Sequence, residues 1–243
     1  MVLNMSFKDF IVDSIKYSIQ KKTTFLVFGL LLVVLAFLPT SDLTGQNHSN
    51  LIISILISLI TFILLMIQQG YLLKILIDSV EGSDIIPKFH DILFYIKQGI
   101  KELILSVYYL IIPFIILTIS TEIPEAILGD FLIVLFILFV ISLYLALLMF
   151  QTAILYGFTV DFKKAFNIKY IFKKSKEIGF KRLNFVLILS IIVFAIIDSI
   201  AVTNSNPIMS IILIIIGFIL YPILAIVDIR YLALIGRDVM NRK

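Results

Sequence analysis

DFKKAFNIKYIFKKSKEIGFKR occupies Asp161–Arg182. It carries eight Lys or Arg against two acids, with five Phe or Tyr between them. Basic residues interleaved with aromatics suit a groove for nucleic acid. They also suit the cytoplasmic flank of a membrane span, where lysines meet anionic headgroups. The rest of the chain decides between the two.

Of the 243 residues, 61% are apolar and 15% charged. Soluble domains average about 45–50% apolar and about 25% charged. So little polar surface cannot cover a water-soluble globule, and the chain reads as an integral membrane protein. A spanning helix needs roughly 20 mostly apolar residues. Six stretches meet or approach that: Thr24–Pro39, Leu51–Ile77, Leu103–Ile119, Phe131–Phe158, Leu183–Val202 and Ile208–Ile235. The first 22 residues are charged throughout and lack the short apolar core and small-residue site of a signal peptide, so the first stretch is expected to be retained.

The cations then fix an orientation. Lys8, Lys16, Lys21 and Lys22 precede the first span, and Lys74, Lys88, Lys97 and Lys101 fall between the second and third. The opening segment contributes Lys163, Lys164, Lys169, Lys173, Lys174, Lys176, Lys181 and Arg182, and the carboxyl end Arg230, Arg237, Arg242 and Lys243. These are all 20 Lys and Arg in the chain, and the other three connections hold none. Positive-inside partition places both termini and the two long loops in the cytoplasm of a cell-membrane protein. The eight cations of the opening segment become candidate contacts for anionic lipid headgroups, and no nucleic acid is expected.

Each odd-numbered span follows a charged segment with helical spacing of apolar residues. In the first, Phe7, Phe10, Ile11, Ile15 and Ile19 form the expected apolar face. In the second, Ile85, Phe89, Ile92, Leu93, Ile96 and Ile100 do so, with Pro87 in the first helical turn. The opening segment is the third, with a less clean stripe. The expected fold is all-α integral membrane: six transmembrane helices plus three cytoplasmic amphipathic interfacial helices. It forms a single polytopic domain, 1–243, with a weak threefold internal repeat in units 6–78, 84–160 and 161–239.

One segment also carries a family likeness. QQGYLLKILIDSVEGSDIIPKFHD, Gln68 to Asp91, resembles the signature of the Domain of Unknown Function 4013 family, polytopic membrane proteins of archaea and bacteria. There a Gly-Tyr pair ends a long span. A basic residue, an acidic-glycine turn and an Ile-Pro or Leu-Pro start to an interfacial helix follow. Gly70, Tyr71, Lys74, Glu81, Gly82, Ile86 and Pro87 stand in those places. YGFTVDFKKAFN, Tyr156 to Asn167, is similar to the family's second marker, but ends in Asn167 where the family has Asp. The family's interfacial tryptophans are missing. The resemblance runs from about Ser6 to Val239. It implies a multi-span fold and no particular activity.

Chemistry is sparse. Cysteine is absent, and His48 and His90 are isolated. No phosphate-binding glycine loop, metal-ligand cluster or nucleophile elbow occurs. Catalytic, cofactor and metal sites are therefore not expected. Asp198 lies inside the fifth span, where a carboxylate suggests proton or cation coupling unless it sits at the outer interface. Gln68 and Gln151 lie near the cytoplasmic ends of spans two and four. They read as a polar path or, more simply, as interhelical hydrogen bonds. Asp228 and Arg230, two apart on a helix, point away from each other and call for partners elsewhere. Asn47-His48-Ser49 matches a glycosylation sequon. Two functions follow: a non-enzymatic protein that engages lipid or a membrane partner through its basic helices, or a small transporter or channel subunit using Asp198, Gln68 and Gln151. A protein partner or homo-oligomer is left open.

Overall fold

Long runs of Leu, Ile and Phe must satisfy their backbone internally in a bilayer, and a helix does so within one segment. The computed structural model describes residues 7–20, 22–37, 48–122, 131–202 and 207–241, with no strand among them. In chain order the helices are α1 (Phe7–Ser18), α2 (Lys22–Phe37), α3 (His48–Val80), α4 (Ile92–Glu122) and α5 (Phe131–Thr159), then a 3-10 turn (Phe162–Phe166), α6 (Ile168–Ile178), α7 (Phe180–Val202) and α8 (Pro207–Asn241). Among the described residues, four stretches are long and apolar enough to cross a membrane: Ile55–Val80, Ile92–Glu122, Phe131–Thr159 and Phe218–Asn241. They coincide with the second, third, fourth and sixth expected spans. The first and fifth fall on α2 and α7, some of whose side chains lie outside the described residues. With 33 residues, α3 is about 50 Å long, more than the roughly 30 Å of a hydrocarbon core.

The chain forms two compact units, residues 1–100 with 188–243 and residues 101–187. In the first, α8 packs against α1, α2 and α3. Tyr17, Phe28, Tyr71, Ile75, Tyr95 and Tyr221 belong to its buried core. α3 and the start of α4 approach at backbone contact through two glycines. A Cβ on Gly70 would fall on the Tyr95 carbonyl, and a Cβ on Gly99 would fall on the Met66 carbonyl. In the second unit, α5 packs on the 3-10 turn and α6.

The second expected interfacial helix is not formed as such. Residues 83–91 are non-helical, and α4 starts at Ile92 and continues without a break to Glu122. Pro87 keeps Ile86 out of helical geometry. The cap is Asp91, whose carboxylate accepts from the Phe94 amide at 3.0 Å. The third segment divides in two, which accounts for its irregular stripe. Asp161 caps the 3-10 turn and Asn167 caps α6. Gly179, at φ +95°, ends α6 in a conformation that glycine adopts without strain.

α1 is a separate helix, but its faces differ from the expected single stripe. Phe10, Ser14 and Tyr17 are buried, whereas Val12, Ile15 and Ile19 are exposed on the opposite side.

Candidate functional site

On α6, positions 168, 172, 169, 173 and 176 share one side of the helix by three- and four-residue spacing. Ile168 and Phe172 are exposed there together with Lys169, Lys173 and Lys176. The Lys176 ammonium lies 4.5 Å from the centre of the Phe172 ring. Lys163, Lys164 and Lys181 are exposed as well, and Arg182 is half-buried. Lys174 is the exception among the eight cations. It turns inward, is 9% exposed, bonds Glu177 at 2.8 Å and sits over the rings of Tyr156 and Tyr170 at 5.4 and 5.6 Å. Its charge is committed within the fold, so it leaves the set of headgroup candidates.

Next to Lys174, Ser175 donates to Thr152 at 2.9 Å and fastens α6 to α5. The Tyr109 and Tyr108 hydroxyls donate to the carbonyls of Ala165 and Phe166 at 2.6 and 2.9 Å. The basic segment is therefore held through Ser175 and two backbone carbonyls, and Lys163, Lys164, Lys169, Lys173, Lys176 and Lys181 stay exposed.

Gln151 packs against α7. With its amide turned so that oxygen and nitrogen exchange places, the nitrogen donates to the Leu183 carbonyl and the oxygen accepts from the Leu187 amide, both at 3.2 Å. Bonds of this kind join α5 to α7. Gln68 is 2% exposed, and its side-chain oxygen has no hydrogen-bond partner among the described residues. Asp198 lies within α7, but its side chain is outside the described residues, as is Asn47 of the sequon.

The first unit holds a polar node that sequence reading did not assemble. Arg230 on α8 is 1% exposed. Its guanidinium donates to Asp13 at 3.1 Å, to the Ser83 carbonyl at 2.7 Å and to Asp84 at 2.7 Å. It stacks 4.3 Å from the centre of the Tyr17 ring. All three nitrogens of the fork are used, which a lysine could not reproduce. Asp228 faces elsewhere and accepts from Ser190 at 2.7 Å, so the two neighbours do part, as their spacing requires.

The segment 81–91 is fixed by the same neighbourhood. Its carbonyls accept from Gln20 (at Asp84, 2.9 Å), Tyr17 (at Ile85, 3.3 Å), Tyr71 (at Pro87, 2.8 Å) and Tyr95 (at Lys88, 2.9 Å). A non-helical stretch leaves its carbonyls without intrasegment partners, and here side chains supply the donors. Burial pushes the Tyr17 hydroxyl up to about 12 against the lowering pull of Arg230, so it remains a donor at neutral pH. In a chain without tryptophan, five of the ten tyrosines thus hold connecting segments. The clue to the node was a lone arginine within the apolar run AIVDIRYLALIG, which demands partners.

The pattern of the family described as "Protein of unknown function (DUF4013)" matches residues 53–224. The chain belongs to this family. The DUF4013 match takes in the α3–α4 glycine contact and the basic segment, and it leaves α1 and Arg230 outside. An uncharacterised protein of Methanocaldococcus jannaschii is 29% identical over 97 residues, 36% of this chain and 34% of that relative. The match thus spans about a third of the relative's length. No solved structure matches the chain.

Proposed function

We propose that this DUF4013 protein is a six-span membrane protein without a catalytic centre, and that 161–182 is its bilayer-facing working surface, engaging anionic headgroups from the cytoplasm. The observation that carries this reading is the outer face of α6, where Ile168 and Phe172 are exposed beside Lys169, Lys173 and Lys176. An apolar strip bordered by lysines fits the headgroup–acyl boundary. A nucleic-acid groove would not need to lie beside a span. The engagement of Gln151 by the α7 backbone favours packing over a transport path through that residue. Support for the repeat is that Asp91 and Asn167, each following a fixed connecting segment, both cap the next helix.

Orientation is tested by cysteine labelling, since the chain has no native cysteine. Ser41→Cys is expected to react with an impermeant maleimide in intact cells, and Lys173→Cys only after permeabilisation. The reverse pattern would refute the orientation.

Headgroup binding is tested on the full chain in nanodiscs, by the anionic lipid retained through purification. Each lysine near an anionic surface contributes about 1 kcal/mol before screening, so Lys169→Gln, Lys173→Gln and Lys176→Gln combined remove roughly 3 kcal/mol, about a hundredfold at low salt. Phe172→Ser is expected to remove the part of binding that survives high salt. Unchanged anionic-lipid retention in the triple variant would end this reading.

A further inference from the structure

α1 has two apolar faces, one buried and the other exposed among the described residues. Phe10 and Tyr17 are 3% and 1% exposed, and Phe10 meets Tyr231 of α8 edge-on at 6.1 Å. On the opposite side, Val12, Ile15 and Ile19 are 40%, 45% and 60% exposed. Lys8 and Lys16 share that side by helical spacing and are exposed too. The hydrogen bonds of Gln20 and Tyr17 to the carbonyls of Asp84 and Ile85 bring the segment 81–91 alongside the end of α1. Ile85 there is 67% exposed.

We propose that this face of α1, with Ile85, is a second seat on anionic lipid: the isoleucines and Val12 enter the headgroup–acyl boundary, and Lys8 and Lys16 meet the phosphates. The inference rests on the reading of the protein as membrane-embedded with its basic surface at the bilayer. Three features select lipid as the occupant. The face lies outside the four long spans, so the exposure of its apolar residues is not explained by a transmembrane position. α1 ends at Ser18 and the apolar α2 begins at Lys22, so the stripe adjoins a point where the chain turns toward the membrane. Its lysines, Lys8 and Lys16, complement anionic headgroups, and the exposed Asp9 and Asp84 stand at its border. The bond between Arg230 and Asp13 holds α1 to α8, so the face is presented in a fixed position.

The test uses the full chain in nanodiscs of mixed phosphatidylglycerol and phosphatidylcholine, with single spin labels at Ile15→Cys, Ile19→Cys, Ile85→Cys, Phe172→Cys and Lys88→Cys. Collision with oxygen and with an aqueous nickel complex reports depth. Labels at 15, 19 and 85 are expected to collide readily with oxygen and several-fold less with nickel than the label at 88. Nickel access at 15 and 19 equal to that at 88 would overturn the proposal. Protection from both reagents would overturn it too, because a protein then covers the face. The label at 172 keeps the two surfaces apart: a wet 172 with dry 15 and 19 refutes the α6 reading alone, and the converse refutes this one alone. Omitting phosphatidylglycerol is expected to raise nickel access at 15 and 19, and no change would overturn the part assigned to the lysines.

Discussion

Arg230→Leu is expected to destabilise the detergent-solubilised protein by about 3–5 kcal/mol, far more than replacing any exposed cation such as Lys8. The arginine links α8 to α1 through Asp13 and to the 81–91 segment through Ser83 and Asp84. Leucine supplies none of the three donors and loses the stacking on Tyr17. The two carboxylates are 37% and 73% exposed, so both recover water once the arginine is gone, which pulls the cost toward the lower end of the range. Arg230→Lys keeps the charge but not the fork, and is expected to recover only a minority of the loss. Asp84→Asn, at the more exposed partner, is expected to cost about 1 kcal/mol or less. Asp13→Asn falls between the two. Thermal unfolding of these four variants and Lys8→Gln in one detergent gives the order. Arg230→Leu indistinguishable from Lys8→Gln would mean that the node contributes nothing.

The sequence made some of this legible and hid the rest for physical reasons. Span positions follow from length and apolar content, which act locally, and the four long helices fall where those runs lie. Asp91 was legible as a cap, an acid directly before an apolar run. Pro87 drew attention as a first-turn residue instead, although Pro87 also disfavours helix at Ile86. The faces of α1 were misjudged because Phe10 and Ile15 are both apolar, and periodicity cannot say which of two apolar faces meets a neighbour. Lys174 looked like its neighbours in the sequence. Only the fold shows that Tyr156, Tyr170 and Glu177 enclose it. The partners of Arg230 lie 217 and 146 residues away, so no window on the chain could pair them.

Gly70→Ala and Gly99→Ala are each expected to cost roughly 3 kcal/mol or more, and together less than the sum of the two. At both sites the added methyl meets a backbone carbonyl, Tyr95 for one and Met66 for the other, and no rotamer change can remove it. Overpacking of this kind costs about 1–3 kcal/mol where side chains can yield, and more where only backbone can move. Gly29→Ala is the contrasting case: its methyl would lie 2.6 Å from the Phe218 ring, which can turn, so a smaller loss is expected. The two contacts run in opposite directions across one helix pair, from α3 to α4 and from α4 to α3. A single small separation of the helices relieves both clashes, so the second alanine adds little once the first has forced them apart. That makes the coupling between the sites large and of known sign. The same separation moves Tyr95 away from Tyr71, whose rings stand 5.4 Å apart, and stretches the bonds these tyrosines make to Lys88 and Pro87. Hydrogen exchange in 81–91 should therefore rise in either variant. Strict additivity of the two substitutions, or unchanged exchange in that segment, would mean that the helices do not meet through these glycines.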